Sequence, residues 1–434
     1  MNRGEIISAI GSILRDTMQL PHAGAFAPTA RLNEDLYLDS VLILQIFLNL
    51  ELEYGLPAVD EIINRQDIVT VEDLAGLFAD APAEPISPAA VPEGDGVHGE
   101  AYYDIKVHCF VSCVCEGLKK AGLDHRPFYF GVWDADFAVS EQFELLYHTP
   151  AISQEFFRSW FETLYGAEVR EWYDHGRSKE ENLSTMLDLI ERRGETGYVM
   201  VMVDLFHLPE RENKFNQNPF PHYLMIETSG DPEIWNVLDP DYRWQGQIER
   251  AKIINAMMQP SVAGGYVFDR SEARAPVDED LRDYFHASFH PRGNPLVDAV
   301  RRIVAAHLDG PPRLQLPALA SAVRELPVIS IRKYAYEHGF AFFWRALKLP
   351  SAEFDIWCDE IEALFQELKS LHYACMKLSQ TRDHNFAADV FKRLDNAERI
   401  EGRIKNKLQE VFGLWCESRG IAASAAPLAR GVSR

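Results

Sequence analysis

The first 80 residues contain no lysine at all, only four arginines, against 13 acids, for a net charge of −9. The remaining 354 residues carry the other −14 of the total −23. Basic clusters are what nucleic acids and anionic membrane surfaces require, so the charge balance argues against both as partners. Long apolar runs are also lacking: none approaches the roughly 18–20 residues that cross a bilayer. The opening MNRGEIISAIGSIL has no extended apolar stretch ending in a cleavage site, so no secretory signal is expected there. Cysteine is scarce, six in 434 residues, with three gathered at Cys109, Cys113 and Cys115. That usage excludes a disulfide framework and suits a reduced, cytoplasmic protein. No spacing such as paired C-x₂-C offers four metal ligands, so no metal is expected, and His108 with Cys109 alone makes a weak case.

What is present divides the chain. Residues 79–99 are rich in Ala, Pro and Gly without apolar periodicity, the composition of a flexible linker. Residues 100–275 mix β-rich runs (YVMVMVDLF, HYLMIET, IWNVLD) with short helical stretches. Residues 276–420 read as helical: Phe354, Trp357, Cys358, Ile361, Leu364, Phe365, Leu368 and Leu371 recur at spacings of three and four. A second stripe runs from Phe386 and Val390 to Val411 and Trp415. Ser351 is expected to cap the first of these helices, with Glu353 and Asp355 in its opening turn. Residues 421–434 form an Ala-rich tail expected to be disordered. The fold class is α+β.

Ser40 sits just inside a helix start, in LNEDLYLDSV followed by the amphipathic LILQIFLNLELEYGL. A serine there is ordinarily a cap. Here it follows Asp39 and an upstream Leu-x-x-Asp-Leu-x-Leu frame, precedes Val41, and is succeeded some 30 residues on by IVTVEDLAGLF, a short helix opened by Thr70. This ensemble resembles acyl carrier proteins over residues 1–78, a four-helix domain. The resemblance implies 4′-phosphopantetheine on Ser40, attached by a phosphopantetheinyl transferase and charged by an acyl-loading, adenylating enzyme. A helix N-terminus offers N–H groups and a positive dipole end to the phosphodiester. The acidic helix after Ser40, with Glu51 and Glu53, would be the docking face for partner enzymes. Tyr37 departs from the pattern, standing where many carriers have Gly, and is expected to tune partner recognition.

Cys109 opens the helical HCFVSCVCEGLKKAG after a strand-like AYYDIKV. A helix start lowers a thiol pKa and places an N–H near a developing oxyanion. Cys113 and Cys115, deeper in the helix, read as packing. Downstream, FPHYLMIETSGDPEIWNVLDPDY reads as a hairpin: a strand from His222, a turn at Ser229-Gly230-Asp231, and a second strand ending at Asp239. The outer ends of a hairpin meet, so Asp239 could orient the His222 imidazole, which could activate a thiol.

This ordered set resembles the papain-like cysteine fold of bacteriocin-leader peptidases, and more closely the butirosin-biosynthesis-H acyltransferases, over roughly 100–420. The resemblance implies Cys109 as nucleophile, His222 as base and Asp239 as its orienter, in a papain-like core at 100–275 followed by a helical subdomain. The expected function is transfer of an acyl or aminoacyl group from the carrier thioester, through an acyl-Cys109, to a small amine acceptor in antibiotic or siderophore assembly. No Gln or Asn precedes Cys109 as oxyanion donor; His108, a tyrosine hydroxyl or the Cys109 amide could substitute. As a coil the linker spans on the order of 25 Å, and tethering brings the donor toward the millimolar range. The helical C-terminal part is expected to shape the acceptor site or a homo-oligomer contact. Two other readings stay open: a thioesterase with water as acceptor, and a non-catalytic carrier with a docking module.

Overall fold

The computed structural model describes residues 1–65, 68–79, 107–211, 217–310 and 314–424. Residues 80–106, which hold nearly all of the expected linker and most of the AYYDIKV run, lie outside the described residues, as does the tail from 425.

Among the described residues the first unit carries the α-helices α1 (Arg3–Ser12), α2 (Ser40–Tyr54), α3 (Asp60–Ile63) and α4 (Val71–Ala79). Each begins for a local reason. Asn2 and Glu5 form a reciprocal capping box on α1. Asp39 caps α2, and the Thr70 hydroxyl accepts from Asp73 N at 3.2 Å to open α4. Ile6, Ile10, Leu44, Phe47 and Leu74 close its core.

The second unit runs through α5 (Cys109–Lys120), β1 (Ala138–Val139), β2 (Leu145–Leu146), α6 (Glu155–Tyr165), β3 (Arg170–Glu171), α7 (Lys179–Glu191), β4 (Gly197–Asp204), β5 (Pro221–Thr228), β6 (Ile234–Asp239), β7 (Trp244–Glu249), α8 (Arg250–Met257) and β8 (Gly265–Asp269). β3 to β8 make one antiparallel sheet in the order β3-β8-β4-β5-β6-β7. β4 and β5 lie at its centre and read as nearly continuous apolar runs because both faces are covered. α5 lies against the sheet: Cys113 Sγ is 3.7 Å from the Tyr223 carbonyl. Gly117 permits that approach, since a Cβ there would stand 2.5 Å from Phe268.

The remaining helices are α9 (Asp278–Ser288), α10 (Pro295–Asp309), α11 (Leu319–Ala322), α12 (Leu326–Ser330), α13 (Ala335–Leu347), α14 (Ser351–Thr381) and α15 (Ala387–Arg419). Both apolar stripes are long helices, with Ile361, Leu364, Leu371, Leu394, Leu408 and Trp415 buried. Ser351 is the first helical residue and not the cap; Pro350 occupies the cap position without a side-chain bond. One apolar core runs from Val107 in the sheet unit to Cys416 in the last helix. The join is also ionic. Lys333 Nζ bonds Asp134 and Glu401 at 2.8 Å each, and Lys405 Nζ bonds Asp134 at 2.9 Å, all four side chains being nearly inaccessible to water. The two carboxylates answer the two ammonium groups, which is the condition for burying charge. Among the described residues no helix is long and apolar enough to cross a membrane.

Candidate active site

Cys109 is the first residue of α5, half-buried, with His108 as N-cap. His108 Nδ1 accepts from Val111 N at 3.5 Å. The start of the helix is fixed from far away: Asp241 Oδ1 accepts from the backbone N–H of Val107 and His108, at 3.0 Å each, and from the Ser112 hydroxyl at 2.7 Å.

His222 and Asp239 meet as the hairpin demands. β5 and β6 pair with Met225 opposite Leu238, which sets Asp239 opposite Leu224 and one diagonal step from His222. His222 Nε2 lies 2.9 Å from Asp239 Oδ1, both side chains buried. Burial alone would push the imidazole below its ordinary range. The Asp239 carboxylate and the hydrogen bonds to Asp239 and to Cys109 outweigh it and raise the ring to about 10. The three residues expected from the sequence are therefore together, and Nε2 being engaged leaves Nδ1 to address the thiol. Cys113 and Cys115 are wholly buried, and burial pushes both thiols far up, as packing residues should be.

Three contributors escaped the sequence reading. Arg211 holds the far oxygen of Asp239, through Nη2 at 2.8 Å and Nε at 3.1 Å, and lies over the Trp244 ring at 4.1 Å. Burial would raise the Asp239 carboxyl, but His222 and Arg211 together hold it below the usual range. Asp241 is the second. The third is Gln154, at the start of α6: its side chain makes no capping bond, and its Oε1 is buried with no hydrogen-bond partner. Arg211 and Asp241 gave no signal, one being a lone arginine in a loop and the other a turn residue after a proline. An amide could be missed because it follows Cys109 by 45 residues instead of preceding it.

Cys109, His222 and Gln154 line one cleft of about 690 Å³, counting the part open to solvent. Ile152, Met202, Val328 and Ile331 give it apolar walls. Tyr147 also lines it, but its hydroxyl donates to the Pro221 carbonyl at 3.1 Å. Among the described residues no group of three or more His, Cys, Asp or Glu side chains is placed to hold a metal ion.

Ser40 is the exposed first residue of α2. Its helix start is less open than a bare N-terminus, because Asp39 Oδ1 already accepts from Val41 N and Leu42 N at 2.8 Å each. Burial raises that carboxyl to about 7 against the pull of those two bonds. Glu51, on the same helix, accepts from Tyr373 and Lys377 of α14.

Residues 104–273 match the DUF6005 N-terminal domain and residues 279–427 the DUF6005 C-terminal domain. The chain belongs to the DUF6005 family. Over 316 residues, 73% of this DUF6005 protein and 97% of the relative, it is 41% identical to a petrobactin synthase of Bacillus anthracis. A further 31% identity over 74 residues, 17% of the chain and 81% of the relative, links it to acyl carrier protein AsbD of the same organism. The family's two domains bound the cleft jointly, since His222 belongs to the first and Val328 and Ile331 to the second.

Proposed function

We propose that the chain is a carrier-fused acyltransferase of siderophore biosynthesis, in which Cys109 takes an acyl group and passes it to an amine. The observation that carries this reading is the alignment of Cys109 with the hydrogen-bonded His222–Asp239 pair at one cleft. Likeness to a petrobactin synthase supports a biosynthetic enzyme, and likeness to AsbD supports reading the first four helices as the carrier. The sheet with α5 on it is read as a papain-like core.

Ser40, an exposed residue on the first turn of α2, fits the attachment of phosphopantetheine, because a transferase can reach it. When bound there, the group would supply an acyl thioester, charged by an adenylating enzyme. In the cleft, His222 takes the Cys109 proton, its basicity strengthened by Asp239. With such a thioester in the cleft, the Cys109 sulfur would form a bond to its carbonyl as the donor's C–S bond breaks, and His222 would give the proton to the leaving thiolate. The amine then forms an N–C bond to the same carbonyl, the bond to Cys109 breaks, and an amine proton returns through His222 to the sulfur. Gln154 would donate its amide N–H to the oxyanion in both halves.

Peptide mass spectrometry on acyl-loaded protein, wild type and Cys109→Ala, tests this. Wild type is expected to carry the acyl group on both the Ser40 and the Cys109 peptides, and to yield an amide once amine is added. A product that is free acid at every amine concentration would make the protein a thioesterase. An acyl group that never leaves the Ser40 peptide would leave a carrier with a docking module.

A further inference from the structure

The C-terminal helices carry a cationic patch that the chemistry above does not use. Lys377 and Tyr373, one turn apart on α14, both reach Glu51 of α2, at 2.6 and 2.7 Å. The side chains of Lys377 and Glu51 are 21% and 17% exposed, so this pair is better shielded than an ordinary surface ion pair. Arg393 of α15 meets Asp60 at the start of α3 at 2.8 Å. Tyr373 and Met376 complete the apolar core of the first unit. Cations thus meet the acids of a unit whose first 80 residues lack lysine entirely.

The seating has a direction. Gln45 meets Gln380, Glu51 meets Lys377 and Tyr373, and Asn64 meets Ser370, so α2 runs antiparallel to α14. Ser40 lies five residues before Gln45, about 7.5 Å of helix, at the Gln380 end. The same end of α14 holds α11, because Ser379 Oγ accepts from Ala320 N and donates to the Pro317 carbonyl. From Ala320 the chain reaches Val328 in the cleft wall within eight residues.

We infer that Tyr373, Lys377 and Arg393 form the dock from which the chain's own acidic carrier helix delivers its acyl group, so that transfer runs within one chain. The inference rests on the acyltransferase reading. The acidic face of α2 is recognised by its own catalytic unit, and a loading enzyme must compete with that contact for the same face.

Charge reversal tests it on the full-length protein. Without any acyl group, hydrogen exchange of residues 40–54 and 370–381 is expected to rise about tenfold in Lys377→Glu and to return toward wild type in the swap Glu51→Lys/Lys377→Glu. With the acyl group on Ser40, the first-order rate of its appearance on Cys109 should not depend on protein concentration. Taken relative to Cys109 acylation by a small soluble thioester in the same variant, that rate should fall ten- to a hundredfold in Lys377→Glu and recover in the swap. Unchanged exchange and an unchanged relative rate in Lys377→Glu overturn the dock. A rate that scales with protein concentration overturns transfer within one chain. If the soluble thioester never acylates Cys109 in wild type, the acyltransferase reading falls instead, and the exchange data alone judge the dock.

Discussion

Ser40 and Cys109 occupy the same local position, the first residue of an α-helix, and the sequence sets an acid near each start. Asp39 holds the start of α2 from the adjoining residue, at 2.8 Å to two backbone N–H groups. Asp241 holds the start of α5 from more than 130 residues away. What differs is the next layer. Cys109 is half-buried beside the His222–Asp239–Arg211 relay, whereas Ser40 is exposed. A helix N-terminus is therefore common to both positions, and what sets Cys109 apart is the imidazole and carboxylate that long-range contacts place beside it.

The sharpest break of this comparison is a crossed rescue. Ser40→Ala and Cys109→Ala should each abolish amide formation from a carrier-loaded acyl group. A soluble acyl thioester should restore product in Ser40→Ala and never in Cys109→Ala, as read by product mass spectrometry. Next in size, Asp239→Asn should slow transfer by roughly 10²–10⁴-fold. Burial would then be opposed only by Cys109, and the ring should titrate lower than its wild-type value of about 10. Iodoacetamide alkylation of Cys109 at neutral pH should slow accordingly, since the sulfur loses a cationic neighbour. The same shift has a stability sign: a ring raised on folding adds stability that is whole below about 6.5 and is lost as pH rises through about 10. Thermal melts across that range should show a steeper decline in wild type than in the variant.

Gln154→Ala should lower single-turnover transfer by roughly 10²-fold, while iodoacetamide alkylation of Cys109 stays within twofold. An equal loss in both assays would give Gln154 a packing role only. The smallest effects compare the two aspartates. Asp241→Ala removes the acceptor of the Val107 and His108 N–H groups and of the Ser112 hydroxyl, and should cost about 3 kcal/mol in denaturant unfolding. Asp39→Ala removes a local cap and should cost about 1 kcal/mol.

How much of this was legible follows the range of the forces involved. The stripes of α14 and α15 obey a 3.6-residue period, so Leu364, Leu371, Leu394 and Leu408 could be assigned to the core from spacing alone. The His222–Asp239 pair was legible because a hairpin converts a 17-residue separation into contact. Arg211 reaches the site from a loop, Asp241 from a turn and Gln154 from the start of a separate helix, and no period marks them. Tyr37 shows the intermediate case. Its place where carriers have Gly is explained by φ of 55°, a left-handed conformation that glycine adopts freely. The tyrosine accepts it while 62% exposed, with its ring centroid 4.3 Å from that of His22 and the two rings tilted by 36°.

The quartet of Lys333, Asp134, Lys405 and Glu401 bears on how portable this catalyst is. Asp134 comes from the N-terminal family domain and the other three from the C-terminal one. A cut between residues 273 and 279 would leave one half with an unanswered buried carboxylate and the other with two ammonium groups facing a single acid. Breaking such a set is costly in a way that solvent exposure of apolar surface is not. Chimeras that exchange the helical half between relatives should therefore succeed only when the four charges travel as a matched group, which makes the quartet the first compatibility check for any engineered hybrid.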